Sequence, residues 1–179
     1  ILALIPAILV SAWFYGPGIF FNIAVAIVVA LGTEAIALRL RGKPVLATLS
    51  DGSVIVAALL FAFSLPPLCP WWVTASGMVF AIGLVKHAYG GLGYNLFNPA
   101  MAGYVLVLVS FPSLMTGWPA ADIGDLDYQR PGITATLQYG LTGQLPEPLT
   151  LDGVTRATVL DRVRDGLGAM RTMSEIRTH

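Results

Sequence analysis

The sequence predicts an all-α, polytopic membrane helix bundle with an extramembrane tail of loop and helix, and three observations carry that prediction. First, 56% of the 179 residues are apolar, 11% are charged and the mean hydropathy is +0.75, beyond the range of a soluble domain. Second, residues 1–111 hold six charged side chains (Glu34, Arg39, Arg41, Lys43, Asp51 and Lys86), whereas residues 112–179 hold the other fourteen. Third, the apolar runs are punctuated by Gly, Pro and basic residues at spacings that suit helices and turns. The boundary near Pro112 divides a membrane region, 1–111, from a polar region, 112–179.

Ile1 to Tyr15 reads as part of a first transmembrane helix. It has neither a basic leader nor an A-x-A site, so a signal peptide is not indicated. Gly16-Pro17-Gly18 supplies the turn, with Trp13 and Tyr15 where amphipathic rings favour the headgroup region. The second helix runs from about Ile19 to Leu40, and roughly 20 residues is enough to span a bilayer. Arg39, Arg41 and Lys43 follow, and the positive-inside rule assigns that loop to the cytoplasm. Glu34 fits either an intramembrane relay carboxylate or an interfacial Glu reaching toward Arg39 or water; the residues favour the interfacial placement.

The third helix begins at Ser50-Asp51-Gly52, where an acid suits the positive end of the helix dipole, and stops at Pro66-Pro67. A fourth, Trp71 to Val85, ends at Lys86-His87, again on the cytoplasmic side. His87 reads as interfacial rather than as a ligand or proton carrier. In Ala88 to Tyr104, Gly90, Gly91 and Gly93 prevent a continuous helix. Asn98 then supplies a cap and Pro99 a first-turn position for a fifth helix ending near Phe111. Ala100 and Gly103 permit close packing. The Gly spacing fails the dinucleotide-loop pattern and no strand precedes it.

The third to fifth segments hold roughly 13 to 15 apolar residues each, fewer than the roughly 20 of an independent lipid-facing span. They must lean on one another or be discontinuous, as transporter helices are around midplane sites; a tilted bundle without a site there is the other possibility. Alternation from a cytoplasmic start puts the tail on the outer side. There, Asp122, Asp125 and Asp127 with five prolines read as surface loop. DIGDLD lacks the closing Glu and the Gly spacing of a calcium loop. Val159 to Arg177 reads as a solvent-facing or connecting helix. Zero formal net charge without a basic tract argues against nucleic acid as a partner, and a single Cys69 leaves neither a disulfide nor a cysteine cluster for a metal.

Leu151 to Asp161, LDGVTRATVLD, is the tail's chemically distinctive stretch, and its residues fit two readings. Asp152-Gly153 is a turn signal after which a threonine can cap a helix. Alternatively, Thr155 or Thr158 offers an exposed hydroxyl to a covalently attached group.

GGLGYNLFNPAMAGYVLVLVSFPSLMTGW, KPVLATLSDGSVIVAALLFAFSLPP and LDGVTRAT together resemble the family of membrane proteins that includes RnfD, called RsxD in some bacteria, of the Rnf electron transport complex. More distantly, they resemble NqrB of the sodium-pumping NADH:quinone reductase. The resemblance covers essentially the whole chain and corresponds to the first half of a two-repeat subunit, five membrane helices plus an external loop. It implies a multi-pass protein of the bacterial inner membrane, residues 112–179 being periplasmic, that carries electrons coupled to ion movement, between ferredoxin and NAD in the Rnf complex.

The resemblance also implies FMN joined through its phosphate to a threonine, installed by a flavin transferase outside the membrane. The family's acceptor pattern falls on Asp152, Thr155, Arg156, Ala157 and Thr158, with Thr158 as the acceptor, Thr155 as runner-up and Arg156 in place of the usual Gly. The implied partners are the other Rnf-type subunits, the transferase and the bilayer. No catalytic residue and no metal site is indicated on this chain alone, and a second, non-covalent flavin is left open. The competing classes are a channel- or transporter-type bundle without redox chemistry and a scaffold subunit.

Overall fold

The computed structural model describes residues 1–88, 93–119, 131–147, 149 and 154–155, and every regular element among them is helical. Its elements are α1 (Ile5–Tyr15, preceded by a 3₁₀ turn Leu2–Leu4), α2 (Gly18–Leu40), α3 (Val45–Leu49) and α4 (Ser53–Ser64). Then come α5 (Trp71–Val79, continuing as a π-helical stretch Phe80–Lys86), α6 (Pro99–Ser110), α7 (Pro112–Thr116) and α8 (Ile133–Thr142). The predicted membrane helices form close to their expected bounds. The helices α3, α7 and α8 were not expected, and the predicted helix Val159 to Arg177 lies outside the described residues.

At 23 residues, α2 is the one helix among those described that is long and apolar enough to cross a membrane by itself. It forms the spine: α4 and α5 pack along it, and α6 packs on α4, α5 and the π-helical stretch. Both α4 and α6 have 12 residues, about 18 Å of helix against a hydrocarbon core of about 30 Å. Buried non-helical chain follows α4. Leu65, Leu68 and Cys69 are buried in the α4–α5 connection, and the Pro66 carbonyl accepts a 2.8 Å hydrogen bond from the buried Asn22 side-chain amide. Buried non-helical backbone needs an internal donor, because an unpaired carbonyl there is costly.

The chain alternates between two ends. Gly18 and Asn22 of α2 meet Pro66 and Pro67 at one end, and there Gly140 of α8 receives the Phe21 ring, Gly143 abuts Trp72, and Tyr15 meets Trp118 edge to face at 5.8 Å. At the other end lie the last turns of α2, the starts of α4 and α6, and Lys86 with His87. Between Gly18 and Glu34 the α2 axis rises about 24 Å. Large apolar side chains stay exposed along the helices, Val28 and Ile36 on α2 and Val105 and Val109 on α6 among them, a surface suited to lipid or further subunits rather than to water.

Small residues set the closeness of α5 and α6. A Cβ on Gly103 would lie 2.8 Å from the Gly77 carbonyl oxygen and 3.0 Å from Ala81 Cβ. Gly103→Val is therefore expected to destabilise the bundle by about 1–3 kcal/mol through overpacking. Gly32→Ala, where a Cβ meets nothing within 4 Å, is expected to be neutral or stabilising. Thermal unfolding of the two variants in detergent checks the contrast.

Candidate functional site

At the end where α2, α4, α5 and α6 converge, four helices bring charged and amide side chains together inside an apolar bundle. Glu34 is 1% exposed and Lys86 4%. The Lys86 ammonium donates to both Glu34 carboxylate oxygens at 2.7 Å and to the Ser53 hydroxyl at 2.9 Å. An ion pair in such surroundings persists only when its remaining donors and acceptors are met, which the bidentate geometry and Ser53 achieve. His87 is buried, with Nε2 3.5 Å from Glu34 Oε2 and neither ring nitrogen hydrogen-bonded. Its carbonyl accepts from Arg41 Nη1 at 2.9 Å, tying the basic loop after α2 to the end of α5.

The π-helical stretch delivers Lys86 and His87 to this place. The His87 amide donates to the Ile82 carbonyl, five residues back, at 3.2 Å, so the winding is wider than α and turns the last residues relative to an unbroken α-helix. Interfacial placement of Glu34 and His87 is therefore corrected. Both point into the bundle, because an opposite charge on a neighbouring helix offers a better partner than a lipid boundary. Sequence reasoning treated the helices one at a time and missed the pairing of residues 52 positions apart. Two lone opposite charges at the same end of adjacent apolar helices were the available signal.

Beside the pair lies a cavity of about 310 Å³, with Ser53, Lys86, Asn95, Asn98 and Pro99 in its lining. That is the small end of the range for ligand pockets. Asn98 caps α6, its Oδ1 accepting from the Ala100 amide at 2.9 Å, and Asn95 Nδ2 donates to the Phe97 carbonyl at 2.7 Å. The starts of α4 and α6 both border the space, so it joins amide groups and helix N-termini to one ammonium. Asp51, in the turn before α4, accepts from the Ser53 amide at 2.7 Å. Slight burial alone would raise its carboxyl, but the Ser53 hydrogen bonds and the Lys86 charge outweigh that and hold it below its ordinary value.

At the opposite end, the predicted flavin segment is described only at Val154 and Thr155. Val154 is 1% exposed and packs with Leu68 and Tyr139, and Thr155 beside it is half-buried. Asp152, Ala157 and Thr158 lie outside the described residues, as does Arg156. No more than about 3.6 Å per residue separates consecutive positions of an extended chain, so Thr158 lies within about 14 Å of the Val154 Cα. The cluster of Glu34, Lys86 and His87 lies at the end of the bundle away from Val154, which packs on Leu68 beside the Asn22–Pro66 contact. Among the described residues no group of His, Cys, Asp and Glu is disposed to hold a metal ion.

A sequence profile of the NQR2, RnfD, RnfE family matches residues 1–178. The chain belongs to that family. Among its relatives, the D-type subunit of the ion-translocating oxidoreductase complex of Aeromonas hydrophila is 47% identical over 184 residues, covering 100% of this chain and 53% of the relative. The corresponding protein of Shewanella amazonensis is 45% identical, covering 98% of this chain and 50% of the relative, and that of Escherichia fergusonii is 42% identical, covering 98% and 51%. The chain thus spans about half the length of these curated relatives, and the family assignment agrees with an all-helical bundle.

Truncating one member of the buried pair is expected to be costly. Glu34→Gln strands the Lys86 ammonium and should destabilise the fold by about 3–5 kcal/mol, whereas Glu34→Gln with Lys86→Met should recover most of that loss. Thermal unfolding of wild type, single and double variants checks the order. A single variant as stable as wild type would mean that the pair is not formed.

Proposed function

We propose that this chain is the membrane-embedded electron-carrying part of an Rnf-type ion-translocating oxidoreductase complex, bearing FMN in phosphoester linkage to Thr158. Five spans, α1, α2, α4, α5 with its π-helical stretch, and α6, cross the bacterial inner membrane, with Arg39, Arg41 and Lys43 on the cytoplasmic side. The observation that carries the reading is the separation of the two ends. The basic loop, Lys86 and His87 lie at one, while Tyr139 and Val154 pack at the other around Leu68. With the basic loop inside, residues 112–179 face the periplasm, where a flavin transferase would reach the threonine.

A phosphodiester carries negative charge and belongs at a wet surface rather than in lipid. Thr158 belongs to the polar part of the sequence, residues 112–179, and this is the respect in which the residues fit the group. Bound flavin supplies one- and two-electron chemistry, while the protein supplies position and electrostatics. Asp152, Thr155 and Ala157 frame the acceptor, Val154 fixes the segment, and the other members of the complex exchange electrons with it. At the inner end, Glu34 and Lys86 with Ser53 form the element through which ion movement is coupled, and the adjoining cavity is open to a small polar ligand.

A channel- or transporter-type bundle without redox chemistry is the second reading, and the buried charges beside a cavity favour it; a scaffold role is a third. In-gel flavin fluorescence after denaturation, from the full-length protein coexpressed with flavin transferase, separates them. Wild type and Thr155→Val are expected to fluoresce and Thr158→Val to be dark. A dark wild type beside an active transferase would move the second reading to the front.

A further inference from the structure

We infer that Val154, Leu68 and Tyr139 form a socket that fixes where the flavin stands on the outer end of the bundle; this rests on Thr158 being the acceptor. Val154 is among the most thoroughly buried residues of the protein, although it sits between a predicted turn and a predicted modification site in the polar tail. A surface loop does not need a buried valine there. Its neighbours come from two distant parts of the chain, Leu68 from the α4–α5 connection and Tyr139 from α8, and Leu145 and Leu149 close the cluster.

The partners are themselves fixed. Leu68 lies in the buried connection whose Pro66 carbonyl is held by Asn22. Tyr139 is carried by α8, which is seated on α2 where the Phe21 ring enters the space left by Gly140. The socket thus refers the acceptor segment to the spine of the bundle. Its effect follows from chain length. Thr158 is four residues on from Val154, a reach of about 14 Å; without the socket the preceding clustered residue is Leu149, nine residues away, a reach of about 32 Å. Val154 is accordingly a positioning residue that acts through the tether.

The test is a pulsed electron–electron distance measurement between the flavin semiquinone and a spin label at Gln138→Cys, an exposed position on α8. It uses the full-length protein in its complex, loaded by the transferase. Native Cys69 is buried, so it stays unlabelled. A single narrow distance distribution is expected for wild type and for Val154→Ile, and one about twice as wide for Val154→Asn, following the ratio of the two reaches. Leu68→Ala opens the socket from the other side and should widen the distribution in the same way, even if Val154→Asn does not assemble. Unchanged widths in flavin-loaded Val154→Asn and Leu68→Ala would overturn the socket. Absence of covalent flavin in wild type would instead overturn the attachment reading beneath it.

Discussion

The ion pair between Glu34 and Lys86 is the interaction on which one half of the bundle depends. It crosslinks the spine helix to the end of α5, recruits Ser53 at the start of α4, and borders the cavity where α6 begins. An apolar bundle of short helices has little directional chemistry of its own, since dispersion contacts tolerate sliding. One satisfied charge pair supplies a register, and losing either partner leaves a buried charge without compensation. The π-helical winding before Lys86 is the local backbone feature that presents the ammonium to α2.

At the other end the constraint is backbone rather than charge. The α4–α5 connection is non-helical and buried, and Asn22 answers the carbonyl that the broken helix leaves open. Gly18 lets α2 approach that connection closely. The same corner then receives Tyr139 and Val154, which pack on Leu68. The two ends stand about 24 Å apart along α2.

Much of this was legible in the residues. The spine helix announces itself by its length and by the basic residues that end it, and Asn98-Pro99 marks the start of α6 because an amide cap and a fixed φ suit that position. Gly103 was readable as a packing residue for the same local reason. In contrast, α8 was hidden: its buried face consists of Ala135, Thr136, Tyr139 and Gly140, small or polar residues that give little hydrophobic signal until Phe21 is seen to fill the gap. The π-helical stretch was hidden by a run apolar on every side. Asn22, Glu34 and Lys86 are single polar residues in apolar helices, and their partners lie 44 to 52 residues away. LDGVTRAT by itself fits a turn and helix cap as well as a modification site, and nothing in it revealed that Val154 would be buried.

The central claim, flavin attached at Thr158 on the outer end, is tested most directly by mass spectrometry of tryptic peptides. Trypsin cuts after Arg156 and Arg162, so Thr155 leaves on the upstream peptide and Thr158 on the peptide Ala157–Arg162, where it is the only hydroxyl-bearing residue. The account predicts the FMN mass on Ala157–Arg162 and an unmodified upstream peptide. FMN on the upstream peptide, or on neither, would contradict it.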